Sequence, residues 1–122
     1  MEPSDAVRLY GEAWAASDES ERRSLLERAW ADDGVYVDPS ARVEGREALV
    51  AHIGGFQEQM AGHRIELTSG VDSHDGYLRF AWTMLGPDGA ALMEGVDFGR
   101  LADDGRIASI VGFFGPWPEL EA

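Results

Sequence analysis

The order of hydrophobic periods along the chain predicts an α+β fold, with three N-terminal helices packed on one face of a mainly antiparallel sheet. Apolar residues recur at helical spacing through the first half, and at period two through most of the second. Asp75-Gly76, Asp88-Gly89 and Asp104-Gly105 then separate the period-two runs, and Asp-Gly is a strong hairpin signal.

The elements follow in order. Ser4 or Asp5 can cap a first helix whose stripe is Ala6, Leu9, Tyr10, Ala13 and Trp14. Ser17-Asp18-Glu19-Ser20 breaks that stripe and offers a new cap. A second helix carries Leu25, Leu26, Ala29 and Trp30 on its apolar face, and Asp32-Asp33-Gly34 is expected to end it. Val35-Tyr36-Val37 is a short β-prone run stopped by Asp38-Pro39, because proline donates nothing to a ladder. Gly45 to Met60 predicts a third helix with Leu49, Ile53, Phe56 and Met60 on one side. Its Gly54-Gly55 pair costs about 1 kcal/mol per glycine relative to alanine, so the helix either kinks there or packs very close to something. Ile65 to Thr68, Leu78 to Met84, Leu92 to Leu101 and Arg106 to Phe114 then form a four-stranded meander. Leu78, Phe80, Trp82 and Met84 share one face of it. The last strand is apolar on both faces, with Ile110, Gly112 and Phe114 opposite Ile107, Val111 and Phe113. A sheet with one solvated face alternates more cleanly, so the outer face predicts a homodimer.

Composition narrows the functional classes. A chain of 122 residues, 44% of them hydrophobic, suits one domain over residues 1–122. No cysteine is present, which excludes disulfides, zinc–thiolate sites and thiol nucleophiles. All 10 basic residues are arginine, against 23 Asp and Glu, for a formal net charge of -13. Such a chain repels phosphate backbones and anionic headgroups, so neither nucleic acid nor a membrane surface is an expected partner. The first twenty residues carry acids and no long apolar run, predicting neither signal peptide nor membrane span and hence a cytoplasmic protein. The three histidines, His52, His63 and His74, have no ligand-like helical spacing, so no metal site is expected. No phosphate-cradling glycine loop or nucleophile elbow occurs.

Several segments carry a resemblance. They are Val7-Arg8-Leu9-Tyr10, Ala31-Asp32-Asp33-Gly34, Val37-Asp38-Pro39, Gly45-Arg46-Glu47-Ala48-Leu49, Gly95-Val96-Asp97-Phe98, Asp104-Gly105-Arg106-Ile107 and Phe113-Phe114-Gly115. In this order the chain resembles the nuclear transport factor 2-like superfamily, which includes ketosteroid isomerases and SnoaL-type polyketide cyclases. The resemblance implies a cone-shaped α+β barrel with an apolar pocket between the helices and a curved sheet. It also implies a catalytic set. The isomerases use a tyrosine of the first helix, an aspartate before a proline and an aspartate on the penultimate strand; those places hold Tyr10, Asp38 and Asp97. By resemblance, Asp38 is the general base, while Tyr10 and a protonated Asp97 donate to the developing enolate oxygen. A base at the mouth of an apolar pocket is expected to have its pKa raised by lost hydration.

The residues also admit plainer roles. Asp38 before Pro39 suits a turn cap as well as a base. Tyr10 lies on a core stripe. Asp97 stands mid-strand between Val96 and Phe98, where a lone carboxylate is disfavoured, and its parity with Met93 and Gly95 suits either a pocket or the surface. Trp14, Trp30, His52, Phe56, Met60, Phe80, Trp82, Met84 and Phe114 are expected to line a cavity that takes a flat hydrophobic molecule. Trp117, between two prolines, is expected to close one end or to meet a second copy.

The expectation is therefore a cofactor-independent isomerase or cyclase that moves a proton next to a carbonyl of a small hydrophobic substrate. The alternative is a non-catalytic binder of such a molecule, or a dimeric scaffold. Epoxide hydrolysis, which in this superfamily uses an Asp-Arg-Asp arrangement, is less favoured, because Arg79 has the parity opposite to Phe80 and Trp82.

Overall fold

The computed structural model describes residues 1–121. Helix α1 (Pro3–Ala15) packs on helix α2 (Glu19–Ala29). The N-cap of α1 is Glu2 rather than Ser4 or Asp5. Pro3 fills the first helical position, where its missing N–H costs nothing, and the Asp5 carboxylate accepts the Glu2 N–H at 3.2 Å. Asp18 caps α2 as its sequence suggests, accepting the Glu21 N–H at 2.9 Å.

Helix α2 is shorter than its stripe implies. Trp30 is not on its apolar face but opens strand β1 (Trp30–Asp38), which runs through Asp32-Asp33-Gly34 instead of beginning after them. A register irregularity between Trp30 and Val35 lets both aspartates face solvent while the backbone stays extended. Strand β2 (Ala41–Glu44) folds back on β1 in a hairpin, and helix α3 (Arg46–Gln59) follows from an N-cap at Gly45. The glycine pair in α3 reflects close packing. A Cβ on Gly54 would meet Nη1 of the buried Arg22 at 3.0 Å. That guanidinium donates to the carbonyls of Ala16, Ser17 and Val50 and to Gln57 Oε1, tying the α1–α2 corner to α3.

Strands β3 (Arg64–Leu67), β4 (Asp72–His74), β5 (Tyr77–Leu85), β6 (Ala91–Leu101) and β7 (Ile107–Phe114) complete a sheet of order β2-β1-β7-β6-β5-β3, with β4 on β5. The antiparallel meander is as expected, except that β4 adds a short hairpin and takes His74 out of a loop. The pairing with no local signature is β1 on β7, which is parallel and in register Tyr36↔Ile110 and Val37↔Val111. Ile107 has outer parity yet is buried, because two residues of β7 oppose one of β6 between Arg100 and Leu101.

The dry core lies where Val7, Leu26, Leu49 and Ile53 meet Trp30, Ile107 and Ile110, each fully buried. Each such side chain contributes about 1.5–3 kcal/mol relative to exposure. Trp30 stacks on Tyr10 at 5.6 Å. Among the described residues, no helix is long and apolar enough to cross a membrane.

Candidate functional site

Beyond the dry core, the helices and the inner sheet face separate around a cavity of about 430 Å³. Of the twelve side chains expected to face a ligand, eleven line it: Tyr10, Trp14, Asp38, His52, Phe56, Met60, Phe80, Trp82, Met84, Asp97 and Phe114. Trp30 does not. It belongs to the core, because the strand that begins at Trp30 turns its indole under Tyr10 rather than towards the opening. Trp117 is 84% exposed and closes nothing. Arg79 points outward as its parity predicts, pairing with Asp72 at 2.9 Å on the surface.

Asp97 is 6% exposed and sits inside the pocket. Its Oδ1 accepts the Trp82 indole N–H at 2.9 Å. Trp82 can lie across β6 because its cross-strand partner is Gly95, where any Cβ would collide with the indole. Burial raises the Asp97 carboxyl to about 6, against the pull of the Trp82 hydrogen bond and with help from the nearby Asp38 charge.

Asp38 behaves in the opposite way. Burial pushes it up, but the Tyr36 hydroxyl and the Ser40 donors outweigh burial and hold the carboxyl below its ordinary range. This corrects the expectation of a raised base. Oδ1 accepts both the N–H and the hydroxyl of Ser40 at 2.7 Å, and Oδ2 accepts the Tyr36 hydroxyl at 2.6 Å. Asp38 is thus a turn cap and a pocket carboxylate at once.

Gly112 joins the two acids. It pairs with Asp97 across β6–β7, and the β1–β7 register places it beside Asp38. A Cβ there would meet Asp97 Oδ1 at 2.8 Å and Asp38 Cβ at 3.6 Å. Two strand spacings set the two acids' Cα atoms about 10 Å apart.

Tyr10 and Tyr36 complete the polar set. The Tyr10 hydroxyl is held well above its ordinary pKa, mainly by burial and then by the Asp97 charge, so it stays a donor. Tyr36 is raised by burial and by its bond to Asp38. Its ring packs against Trp14 and against His52, at 5.8 and 5.4 Å. Sequence reasoning placed Tyr36 in a strand without a site role; its alternation with Asp38, two residues on, is the signal that could have found it. Among the described residues, no three His, Asp or Glu side chains gather as metal ligands do.

The arrangement can hold an apolar molecule against two carboxylates of opposed character and two phenols. The comparisons with known proteins agree with the architecture. The chain is 33% identical to a candidate isomerase of the SnoaL-like family from Agrobacterium tumefaciens, with a TM-score of 0.88 over 95% of this chain and 100% of that one. A candidate polyketide cyclase from Sinorhizobium meliloti superimposes with a TM-score of 0.70 at 20% identity, over 88% of this chain and 93% of that one. An NTF2-like protein of unknown function from Cytophaga hutchinsonii does so at 0.69 and 14%, over 95% and 92%. These last two show the NTF2-like α+β fold alone. No curated protein matches the chain. The family model described as a SnoaL-like domain matches residues 7–110, and the chain belongs to that SnoaL-like family.

Proposed function

We propose that the protein is a cofactor-independent enzyme that moves a proton next to a carbonyl of a small hydrophobic, steroid- or polyketide-like molecule. One observation carries the reading: two carboxylates share an apolar cavity, and their surroundings push their pKa values in opposite directions. Asp38, ionised at neutral pH, takes the proton from the carbon beside the carbonyl. The C–H electron pair moves into a new C=C bond as the carbonyl oxygen gains charge. Tyr10 and protonated Asp97 donate to that oxygen. An apolar ligand displaces water from Asp97 and raises its carboxyl further, towards the donor form. Asp38 then returns the proton to a different carbon in an isomerase. In a cyclase the enolate carbon attacks a second carbonyl of the same molecule, and the proton goes to the new alkoxide. Arg79 lies on the surface and is not among the side chains lining the cavity, which argues against an Asp-Arg-Asp epoxide hydrolase.

The test is ultraviolet detection of enone formation from a β,γ-unsaturated 3-ketosteroid, with wild type and Asp38→Asn side by side. Turnover that collapses at least a hundredfold in the variant supports the assignment, since a positioned base contributes about 10²–10⁴-fold. Saturable binding without turnover in wild type would favour the non-catalytic binder instead.

A second proposal concerns assembly in the cytoplasm. Tyr77, Leu92, Val111 and Phe113 lie exposed on the outer sheet face, with Phe98 edge-on to Phe113 at 5.8 Å. This apolar surface fits a second copy of the chain. Sedimentation velocity giving twice the chain mass is expected, and a monomer at micromolar concentration would overturn it.

A further inference from the structure

Tyr36 stands outside the catalytic set that the resemblance implies, yet it makes the shortest side-chain contact to Asp38. Its hydroxyl is 2.6 Å from Oδ2, inside the range of a charge-assisted O–H···O⁻ bond. Its ring is fixed by packing, against Trp14 on one helix and His52 on another, so the hydroxyl has little freedom to leave. The two Asp38 oxygens are treated unequally. Oδ1 accepts two bonds from Ser40, which fills its lone-pair sites, while Oδ2 accepts the one from Tyr36; the Ala41 backbone N–H is a weaker further donor to the carboxylate.

We propose that Tyr36 is the positioning residue of the site: it fixes the plane of the Asp38 carboxylate and leaves Oδ2 as the atom that receives the proton. The catalytic half of this statement rests on the proton-transfer reading above; the contact itself does not. Other groups also bear on Asp38. Ser40 belongs to its own hairpin. Asp97 lies across Gly112 on β6, and its own carboxyl is raised by the Asp38 charge. Tyr10 faces it from α1, and His52 of α3 lies behind the Tyr36 ring. Among these, Tyr36 and Ser40 are the side chains that donate to the carboxylate. Ser40 keeps its backbone donor when the side chain is shortened, so Tyr36 is the group whose loss is felt most by Oδ2.

The experiment is a carbon-13 carboxyl titration of Asp38 in wild type, Tyr36→Phe and Ser40→Ala, without ligand. The kcat/KM pH profile is then measured with the β,γ-unsaturated 3-ketosteroid. Tyr36→Phe is expected to raise the Asp38 midpoint more than Ser40→Ala does, and to move the acid limb of kcat/KM upward by the same amount. It is also expected to lower kcat about tenfold with KM little changed, the equivalent of one lost bond to charge. A folded Tyr36→Phe with an unmoved Asp38 midpoint overturns the proposal, as does a moved midpoint with unchanged kcat. If Tyr36→Phe fails to fold, 3-fluorotyrosine at position 36 keeps the ring and strengthens the donor; the midpoint must then fall. A wild type that does not turn over the steroid sinks the proton-transfer reading, while the titration still decides whether Tyr36 governs Asp38.

Discussion

The closed and open ends of the helix–sheet layer are built from the same kinds of residue. At the closed end Tyr10 and Trp30 stack at 5.6 Å; at the open end Trp14 meets Phe56 at 5.4 Å and Trp82 meets Phe114 at 5.7 Å. Aromatic spacing therefore does not distinguish them. The gaps between rings do. At the closed end Leu26, Leu49, Ile53, Ile107 and Ile110 fill those gaps completely. At the open end the corresponding space adjoins Gly11 and Gly55, while Gly95 and Gly112 clear room on the sheet for Trp82 and the two acids. The cavity arises from side-chain volume left out of an otherwise ordinary core. Polar groups are few there, and Tyr10, Tyr36, Asp38 and Asp97 each have a hydrogen-bond partner or a shifted pKa.

The largest expected effect tests the closed end. Trp30→Ala should cost about 3–5 kcal/mol in urea unfolding, as large core truncations do. Trp14→Ala, whose ring borders the cavity, should cost less than half of that; equal losses would erase the contrast between the two ends.

Next comes the acidity of the open end. The folded Asp97 carboxyl titrates at about 6, above its ordinary value, so it binds its proton more tightly folded than unfolded. Stability conferred by the protonated form is present at low pH and is lost as pH rises from about 4 through 6, amounting to about 3 kcal/mol at pH 7. Asp97→Asn cannot ionise and should be more stable than wild type at pH 7, with the difference vanishing near pH 4. Asp38 has the reverse sign, since its carboxyl is depressed; its contribution is present at neutral pH and is lost on acidification below its ordinary value. Unfolding midpoints across pH 3–8 separate the two acids, and a flat Asp97→Asn difference would refute the assignment.

The smallest effect sharpens the role of missing volume. Gly55 borders the cavity with open space where a Cβ would stand. Gly55→Leu should gain about 1 kcal/mol from helix propensity alone while weakening steroid binding in a calorimetric titration. A stabilised variant that binds unchanged would show that the space is not the binding space.

Much of this layout was legible in the sequence. Parity on β5 separated Phe80, Trp82 and Met84 from Arg79, while the parity of Asp97 suited either face and only its pairing with Phe80 across β5–β6 takes it inward. Burial acts on alternate residues of a strand, so a period-two run carries its own orientation. What stayed hidden was set by distant partners. Trp30 read as helical because its spacing from Leu26 is helical, and only the pairing of β1 with β7 turns it into a strand. Gly112 had no visible function for the same reason: it acquires one from Asp97 and Asp38 on the neighbouring strands, whereas the role of Tyr36 lay in its own strand, two residues from Asp38. Strands β2 and β4 are too short and polar to announce themselves, and exist because β1 and β5 offer them a ladder.

The parallel pairing of β1 with β7 also governs when the site can come into being. Tyr36 must find Ile110 across most of the chain, a long loop whose closure is entropically late compared with the local hairpins. Until β7 docks, β1 has only the short β2 beside it and presents Val35, Tyr36 and Val37 as a bare edge. During synthesis the helices can assemble while Asp38 and Asp97 are still strangers. The two acids meet at the closing of the sheet, in the same step that brings Ile107 and Ile110 of β7 against Trp30 in the dry core, so the cost of bringing charge into an apolar cavity is offset by core burial in that one event.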